Sequence, residues 1–340
     1  MTVENGLTPK TDRYNREFLV KKEDAFKLVL PNEFIYNPMN MTLGAVDLNN
    51  LEKKVAVSGY YITMRTQKGF DDNYFAVWLK SPKAIKLYKL YATGGLIEKQ
   101  RIQFPTLSSI ETPLPMHEEQ TAIGTFYRNL DNLLIATQRK VTLLKQLKAA
   151  YLQQMFPQAG EKVPRVRFEG FVGDWIQRKL GEVADVIAGG DVDKSKLMND
   201  GKYPVIANTL SSDGIVGYYE NDYRIEAPAV TVTGRGDVGF AQARKINFTP
   251  VVRLLSVKSN FDVDFLANAI NQFDIFVEST GVPQLTSPQL MNYEIIYPDI
   301  KEQTTIGSFL YNLEIQVKTQ SEIIEKLREL KSTYLQKMFV

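Results

Sequence analysis

The sequence predicts an α+β protein in which two β-rich domains alternate with two long helices that pair as an antiparallel intramolecular coiled coil. Three observations predict it: an internal duplication, a heptad stripe within each copy, and short strand-like runs punctuated by turns between the copies. The segments run from 1 to 112 (first β-rich domain), 113 to 158 (first long helix), 159 to 297 (second β-rich domain) and 298 to 340 (second long helix). At 340 residues, 44% hydrophobic and 24% charged, the chain has enough material for two cores.

In the first segment, Asn32–Tyr36 and Val55–Met64 read as strands and Asp72–Leu79 as a helix. Thr93-Gly-Gly-Leu-Ile97 echoes Thr280-Gly-Val-Pro-Gln284. Near its start, Lys10, Arg13, Tyr14, Asn15, Arg16, Lys21 and Lys22 form a basic cluster with an aromatic neighbour, followed by Arg65, Lys68, Lys99 and Arg101. Nothing in residues 1–30 matches the phrase Asp174-Trp-Ile-Gln-Arg-Lys-Leu-Gly-Glu-Val183, the strand that opens the second segment.

The first long helix begins at Pro115-Met-His-Glu-Glu-Gln-Thr-Ala-Ile-Gly-Thr-Phe126. Its duplicate is Pro298-Asp-Ile-Lys-Glu-Gln-Thr-Thr-Ile-Gly-Ser-Phe309, and 17 of 42 gapless positions are identical at an offset of 183. The copies end in Tyr151-Leu-Gln-Gln-Met-Phe156 and Tyr334-Leu-Gln-Lys-Met-Phe339. Leu130, Leu134, Thr137, Val141, Leu144, Lys148 and Tyr151 recur at alternating spacings of four and three, as do Leu313, Val317, Gln320, Ile324, Leu327, Lys331 and Tyr334. That is a heptad seam, and the apolar members of each set are the expected pairing residues. No proline lies between residues 116 and 156 or between 299 and 340, so each segment reads as one helix of roughly 60 Å. Polar Thr137, Lys148, Gln320 and Lys331 weaken the seam but can set its register.

Pro157–Pro164 is polar and bracketed by prolines, as a linker would be. Beyond it, Val183–Ile187, Tyr203–Ile206, Ile215–Tyr219, Ala229–Thr233 and Val251–Leu255 read as strands and Asp262–Phe276 as a helix. Gly234-Arg-Gly-Asp-Val-Gly239 satisfies G-x-G-x-x-G, but Phe240–Phe248 reads as further strand where a dinucleotide site needs a helix N-terminus. The preferred reading is a β-turn projecting Arg235.

Several chemistries are disfavoured. There is no cysteine, which removes disulfides, thiolate catalysis and Cys-ligated zinc. His117 stands alone at a helix start, where an exposed or capping role outweighs catalysis. Asn37-Pro-Met lacks the second proline and aromatic of an adenine-methylation motif, no Walker loop occurs, and a nuclease pairing of Asp299 with Glu329 would span a whole helix. The 41 basic against 39 acidic residues leave a net +2, so a polyanion-binding surface has to be local. No apolar run approaches a membrane span and no signal peptide opens the chain, so a cytoplasmic protein is expected.

The phrase at 174–183, the duplicated Glu-Gln-x-x-Ile-Gly helix starts and the Tyr-Leu-Gln-x-Met-Phe helix ends together resemble the specificity subunits of type I restriction-modification enzymes, over nearly the whole chain. The resemblance implies that the two β-rich segments are target-recognition domains, each reading half of a bipartite site on double-stranded DNA. It implies paired helices that set the spacing and hold two modification subunits, with restriction subunits in the full complex. No cofactor is then expected on this chain: S-adenosylmethionine, ATP and magnesium belong to partner subunits. A full-length member opens its first domain with a phrase like 174–183; its absence implies a first domain incomplete at its N-terminus. A natural truncation, an internal start, or completion by a second copy or complementary fragment all fit. The alternative function is a truncated, non-selective interaction protein that binds modification subunits through its helices.

DNA-reading candidates follow from residue chemistry, since Arg, Asn and Gln suit base edges while Lys and hydroxyls suit phosphates. In the second domain they are Arg235, Asn208, Thr209, Ser211, Ser212, Tyr218, Tyr219, Arg244, Lys245 and Lys258; in the first, Arg13, Tyr14, Asn15, Arg16, Lys22 and Arg65.

Overall fold

The computed structural model describes Leu7 and residues 26–95, 100–276 and 283–339. The first domain contributes β1 (Phe26–Val29), β2 (Phe34–Tyr36), β3 (Val46–Leu48), β4 (Val55–Ser58), β5 (Ile62–Met64), α1 (Asp72–Trp78), α2 (Pro82–Tyr91) and α3 (Phe104–Ser108). The first long helix is α4 (His117–Met155). The second domain contains β6 (Ile176–Lys179), α5 (Leu180–Val183), β7 (Ala184–Ala188), β8 (Tyr203–Ile206), β9 (Ile215–Tyr219), β10 (Ala229–Thr233), β11 (Ala241–Arg244), β12 (Thr249–Pro250), β13 (Leu254–Ser259), α6 (Val263–Ile270), α7 (Ser287–Met291) and β14 (Glu294–Tyr297), and α8 (Ile300–Lys337) closes the chain.

Packing divides these elements into two compact units that cut across the linear order. One unit takes residues 1–139 and 320–340, the other 140–319, so each long helix is divided between the two units.

In the first unit, β2 lies antiparallel between β3 and β5, and β1 pairs with β4. Phe34, Tyr36, Met41, Tyr88, Ile102 and Tyr127 form the buried core under α1 and α2. Asp71 caps α1 by accepting from Tyr74 N, and Ser81 before Pro82 caps α2. The second unit is built on an antiparallel sheet ordered β11-β10-β13-β7, with smaller sheets β12-β8-β9 and β14-β6. β10 is buried along its whole length, and its Val230 and Val232 pack with Phe265, Leu266 and Ile270 of α6.

The two halves of the helix pair are equivalent. In the first unit Tyr334 meets Phe126 edge-on, at 5.2 Å between ring centroids, and Lys331 pairs with Asp131. In the second unit Tyr151 meets Phe309 at 4.8 Å and Lys148 pairs with Glu314 at 3.0 Å. Each contact is the other shifted by 183 residues, and both require the helices to run antiparallel. Along the seam Leu130, Thr137, Val141, Leu313 and Ile324 are buried while Leu134, Leu144, Lys148, Tyr151, Val317, Leu327, Lys331 and Tyr334 are half-buried. The two lysines sit on the seam because each finds a carboxylate on the opposing helix.

The Glu-Gln-x-x-Ile-Gly motif docks each helix start onto a globular domain. Gln303 is buried; its Nε2 donates to Pro298 O (2.9 Å) and its Oε1 accepts from Asp262 N (3.2 Å), while Asp262 caps α6. Gln120 does the same with Pro115 O (2.9 Å) and Asp71 N (3.2 Å). Ile123 and Ile306 enter the two cores. Gly124 and Gly307 are required because a Cβ would lie 2.5 Å from Asp71 Oδ1 and 2.1 Å from Asp262 Oδ1.

Local patterns misplace some boundaries. Residues 251–253 form a turn with Arg253 at φ 72°, and the strand starts at Leu254, because the chain must leave β12 for another sheet. Val55–Met64 is two strands around a turn closed by Tyr61 N to Ser58 O. The helix expected at 262–276 stops at Ile270, where the Asn271 amide is held by Ala241 N and O. The 174–183 phrase is strand only to Lys179 and then makes a helical turn. Residues 157–164 are no free linker: Pro164 is buried and Gln158 Nε2 bonds back to Gln153 O. The Thr93 and Thr280 echo lies partly outside the described residues.

Candidate nucleic-acid interface

In the second domain, four loop segments distant in sequence meet around one side chain. Asn208 donates through Nδ2 to Val252 O (3.1 Å) and accepts through Oδ1 from Gly234 N (2.8 Å). Gly234 O in turn accepts from Leu285 N (2.9 Å), and Arg235 forms a bridge with Gln284. A Cβ at position 234 would lie 2.2 Å from Arg253 O, so only glycine lets these strands approach this closely.

The G-R-G-D-V-G segment is therefore a hairpin loop. Gly236 and Gly239 take φ of 76° and 91°, and Thr233 Oγ1 bonds both Asp237 O and Phe240 N. The neighbouring loop turns through Ser212 and Asp213 at φ 51° and 56°. The cluster exposes Thr209, Ser211, Ser212, Arg235, Arg253 and Gln284. Among the described residues, neither Arg235 nor Arg253 takes part in an ion pair within 4.0 Å. Two free guanidiniums, an amide and three hydroxyls can donate to base edges and phosphates.

The remaining candidates fall elsewhere. Tyr219 is buried and its hydroxyl donates to Asp193 O (3.1 Å), which corrects its reading as a contact residue. Tyr218 is half-buried, its backbone paired with Met198. Arg244 is likewise corrected to a framework residue: Nε donates to Thr231 Oγ1 (3.0 Å), Nη2 to Gln242 Oε1 (2.9 Å), and burial pulls its pKa down to about 10. Lys245 is paired with Asp264 (2.8 Å) and lies 3.4 Å from the Tyr311 ring centre; desolvation holds Asp264 above the usual carboxylate range. Lys258 pairs with Glu226 (3.3 Å) and Arg65 with Glu33 (2.8 Å). Arg13, Tyr14, Asn15, Arg16 and Lys22 lie outside the described residues.

Sequence reasoning missed Arg253, which was read inside a strand, and it missed the structural duty of Asn208. The glycine at 234 was the available signal that another backbone comes close. His117 is exposed at the start of α4. Among the described residues no group of three or more His, Asp or Glu side chains could hold a metal, and no helix is long and apolar enough to cross a membrane.

Residues 173–329, which contain this loop cluster, match the type I restriction modification DNA specificity domain family. A putative type I specificity subunit of Mycoplasma pneumoniae is 25% identical over 247 residues, covering 69% of this chain and 62% of its own. The type I restriction enzyme MjaVIII specificity subunit of Methanocaldococcus jannaschii is 22% identical over 314 residues, covering 82% and 73%. The chain spans 62%, 41% and 65% of the length of three curated M. pneumoniae relatives. In fold it is similar to the crystal structure of the type I restriction-modification S subunit from M. genitalium, with a TM-score of 0.66 at 15% identity over 92% of this chain and 84% of that one.

Proposed function

Because residues 173–329 match the type I restriction modification DNA specificity domain family, we propose that the chain is the sequence-reading subunit of a type I restriction-modification complex. The observation that carries this reading is the Asn208-centred loop cluster, which lies inside the family domain and presents Arg235, Arg253 and Gln284 with no carboxylate partner among the described residues. Those donors suit a groove of double-stranded DNA, and the second domain reads one half of a bipartite site. The first domain reads the other half. The helix pair α4 and α8 holds two modification subunits, which bring adenine-N6 methylation and S-adenosylmethionine; restriction subunits bring ATP, magnesium and cleavage. The chain itself turns over no substrate and works in the cytoplasm. The alternative of a non-selective interaction protein has less support, because the second domain keeps a built loop cluster suited to selection.

Adenine-methylome sequencing of a host expressing the chain with its cognate modification subunit tests this. The expected result is a set of modified adenines, in one motif, that disappears when the chain is omitted. Copurification of the two proteins with no chain-dependent motif overturns the reading and favours the interaction protein.

A further inference from the structure

Seven arginines lie between residues 140 and 319, the span of the second unit. Five are engaged. Arg165, Arg167 and Arg178 meet Glu161, Glu302 and Glu182, Arg224 donates to Asp191 O, and Arg244 donates to Thr231 and Gln242. The guanidiniums of Arg235 and Arg253 have no hydrogen bond or ion pair among the described residues, and both side chains are exposed.

One amide governs the backbone in front of each of them. Asn208 Oδ1 accepts from Gly234 N (2.8 Å) and its Nδ2 donates to Val252 O (3.1 Å), so a single side chain holds the residue immediately before each free arginine. The two turns also touch directly, since a Cβ at 234 would lie 2.2 Å from Arg253 O. Backbones in such contact are about 5 Å apart, against a base-pair rise of about 3.4 Å.

We propose that Arg235 and Arg253 act as a pair, each reading one guanine on base pairs no more than about two steps apart, and that Asn208 sets their spacing without itself touching DNA. The pairing rests on the reading of the chain as a DNA specificity subunit. It adds two bases of the second half-site and separates a positioning residue from the residues that read.

The surroundings of the two arginines suit base edges better than phosphates. Segments 207–213, 233–240, 250–254 and 284–286 contain no lysine, the point charge that serves a phosphate as well as arginine does. Asp237 is exposed two residues after Arg235 and forms no ion pair within 4.0 Å among the described residues. A phosphate repels that carboxylate, whereas the N4 amine of cytosine, the partner of guanine, donates to it. Val252, 40% exposed beside Arg253, gains nothing from a phosphate and can meet a thymine methyl.

The turn at Arg253 is also fixed more firmly than a phosphate contact requires. Arg253 has φ 72°, a backbone conformation that L side chains rarely adopt. Close backbone approaches hold the turn there on two sides, since a Cβ at Gly189 would lie 2.1 Å from Val251 O and one at Gly234 would meet Arg253 O. Any flexible cation reaches a phosphate, but the two parallel N–H bonds to guanine O6 and N7 need a guanidinium presented from a fixed base.

The test compares adenine-methylation motifs in hosts that express the modification subunit with the parent chain or a variant. The parent motif should hold two G·C pairs, adjacent or one apart, in one half-site. Arg235→Lys and Arg253→Lys keep the charge but lose the two-pronged donor, so each should relax a different one of these pairs by at least about tenfold in selection. Asn208→Ala keeps both arginines and should relax both pairs together. Added to the double lysine variant it should relax neither further, whereas a residue needed only for folding would lower methylation at all sites alike. Arg253→Gly, which fits φ 72°, should keep or raise the urea midpoint of the second unit while losing its guanine. A parent motif without such a pair of G·C positions overturns the proposal. So does an unchanged motif in both lysine variants, which would make the arginines phosphate contacts, or an intact motif in Asn208→Ala. In each of these cases the chain-dependent motif leaves the specificity reading standing; a parent chain that directs no motif at all removes that reading and the proposal with it.

Discussion

Gly307→Ala tests whether the helix-start motif is a docking device. Alanine in a helix interior normally stabilises by about 1 kcal/mol over glycine. Here the new Cβ would stand 2.1 Å from Asp262 Oδ1, 3.0 Å from its Cγ and 2.9 Å from Phe265 N. The carboxylate can rotate away only by giving up its cap on α6, worth about 1 kcal/mol, and the backbone nitrogen cannot rotate away at all. Overpacking of this kind costs about 1–3 kcal/mol, and adding the lost cap and subtracting the propensity gain, each about 1 kcal/mol, leaves a net loss of about 1–3 kcal/mol. The chain has two tryptophans, Trp78 in one unit and Trp175 in the other. Urea unfolding followed by Trp175 fluorescence in a Trp78→Phe background therefore reports on the second unit. Combining Gly307→Ala with Asp262→Ala should recover part of the loss, with a coupling of about 1 kcal/mol. A Gly307→Ala protein that melts at or above its parent would refute the close-contact argument, and with it the explanation of the duplicated glycine.

Glu302→Gln should destabilise the second unit by about 3–5 kcal/mol, because Arg167 is left in a mostly buried site without its carboxylate. Glu119→Gln, at the exposed counterpart, should change urea stability little. Arg235→Ala should weaken DNA binding by about 1–3 kcal/mol and relax one base pair of the motif in competition assays; a uniform loss over all sequences would make it a phosphate contact. Tyr127→Phe should leave stability unchanged or raise it by up to about 1–3 kcal/mol, since the buried hydroxyl has no hydrogen-bond partner among the described residues. Burial pushes the phenols of Tyr36 and Tyr127 from 10.0 up to about 12, and burial with the nearby Glu119 does the same for Tyr74. Their folded pKa values are raised, so their contribution is complete below pH 10 and is lost as pH rises toward 12. Urea midpoints read through Trp78 should fall between about pH 9 and about pH 11, less steeply in Tyr36→Phe with Tyr127→Phe.

The sequence by itself determined the periodic and duplicated parts of this protein. Both long helices start and stop within a few residues of the expected positions, because a heptad stripe and bounding prolines act through neighbours three to seven residues away. Tyr203–Ile206, Ile215–Tyr219 and Ala229–Thr233 were equally legible, being β-branched or aromatic runs between turns. α2 and α3 were missed although Ser81-Pro82 and Gln103 to Pro105 carried start signals, since their apolar pattern is short and mixed.

What only the tertiary structure decided is which polar group meets which. Asn208 reaches Gly234 and Val252, 26 and 44 positions away, and no local pattern announces a side chain that joins such loops. The candidate cations were chosen by residue type. The fold then separated exposed Arg235 and unforeseen Arg253 from Arg244, Lys245, Lys258 and Arg65, each held by a partner distant in sequence. The same holds for residues 111–114, which pair with no strand among the described residues. The duplication marks these residues as equivalent to β14, but whether a strand lies beside them depends on hydrogen bonds between segments far apart in the chain, which periodicity cannot encode.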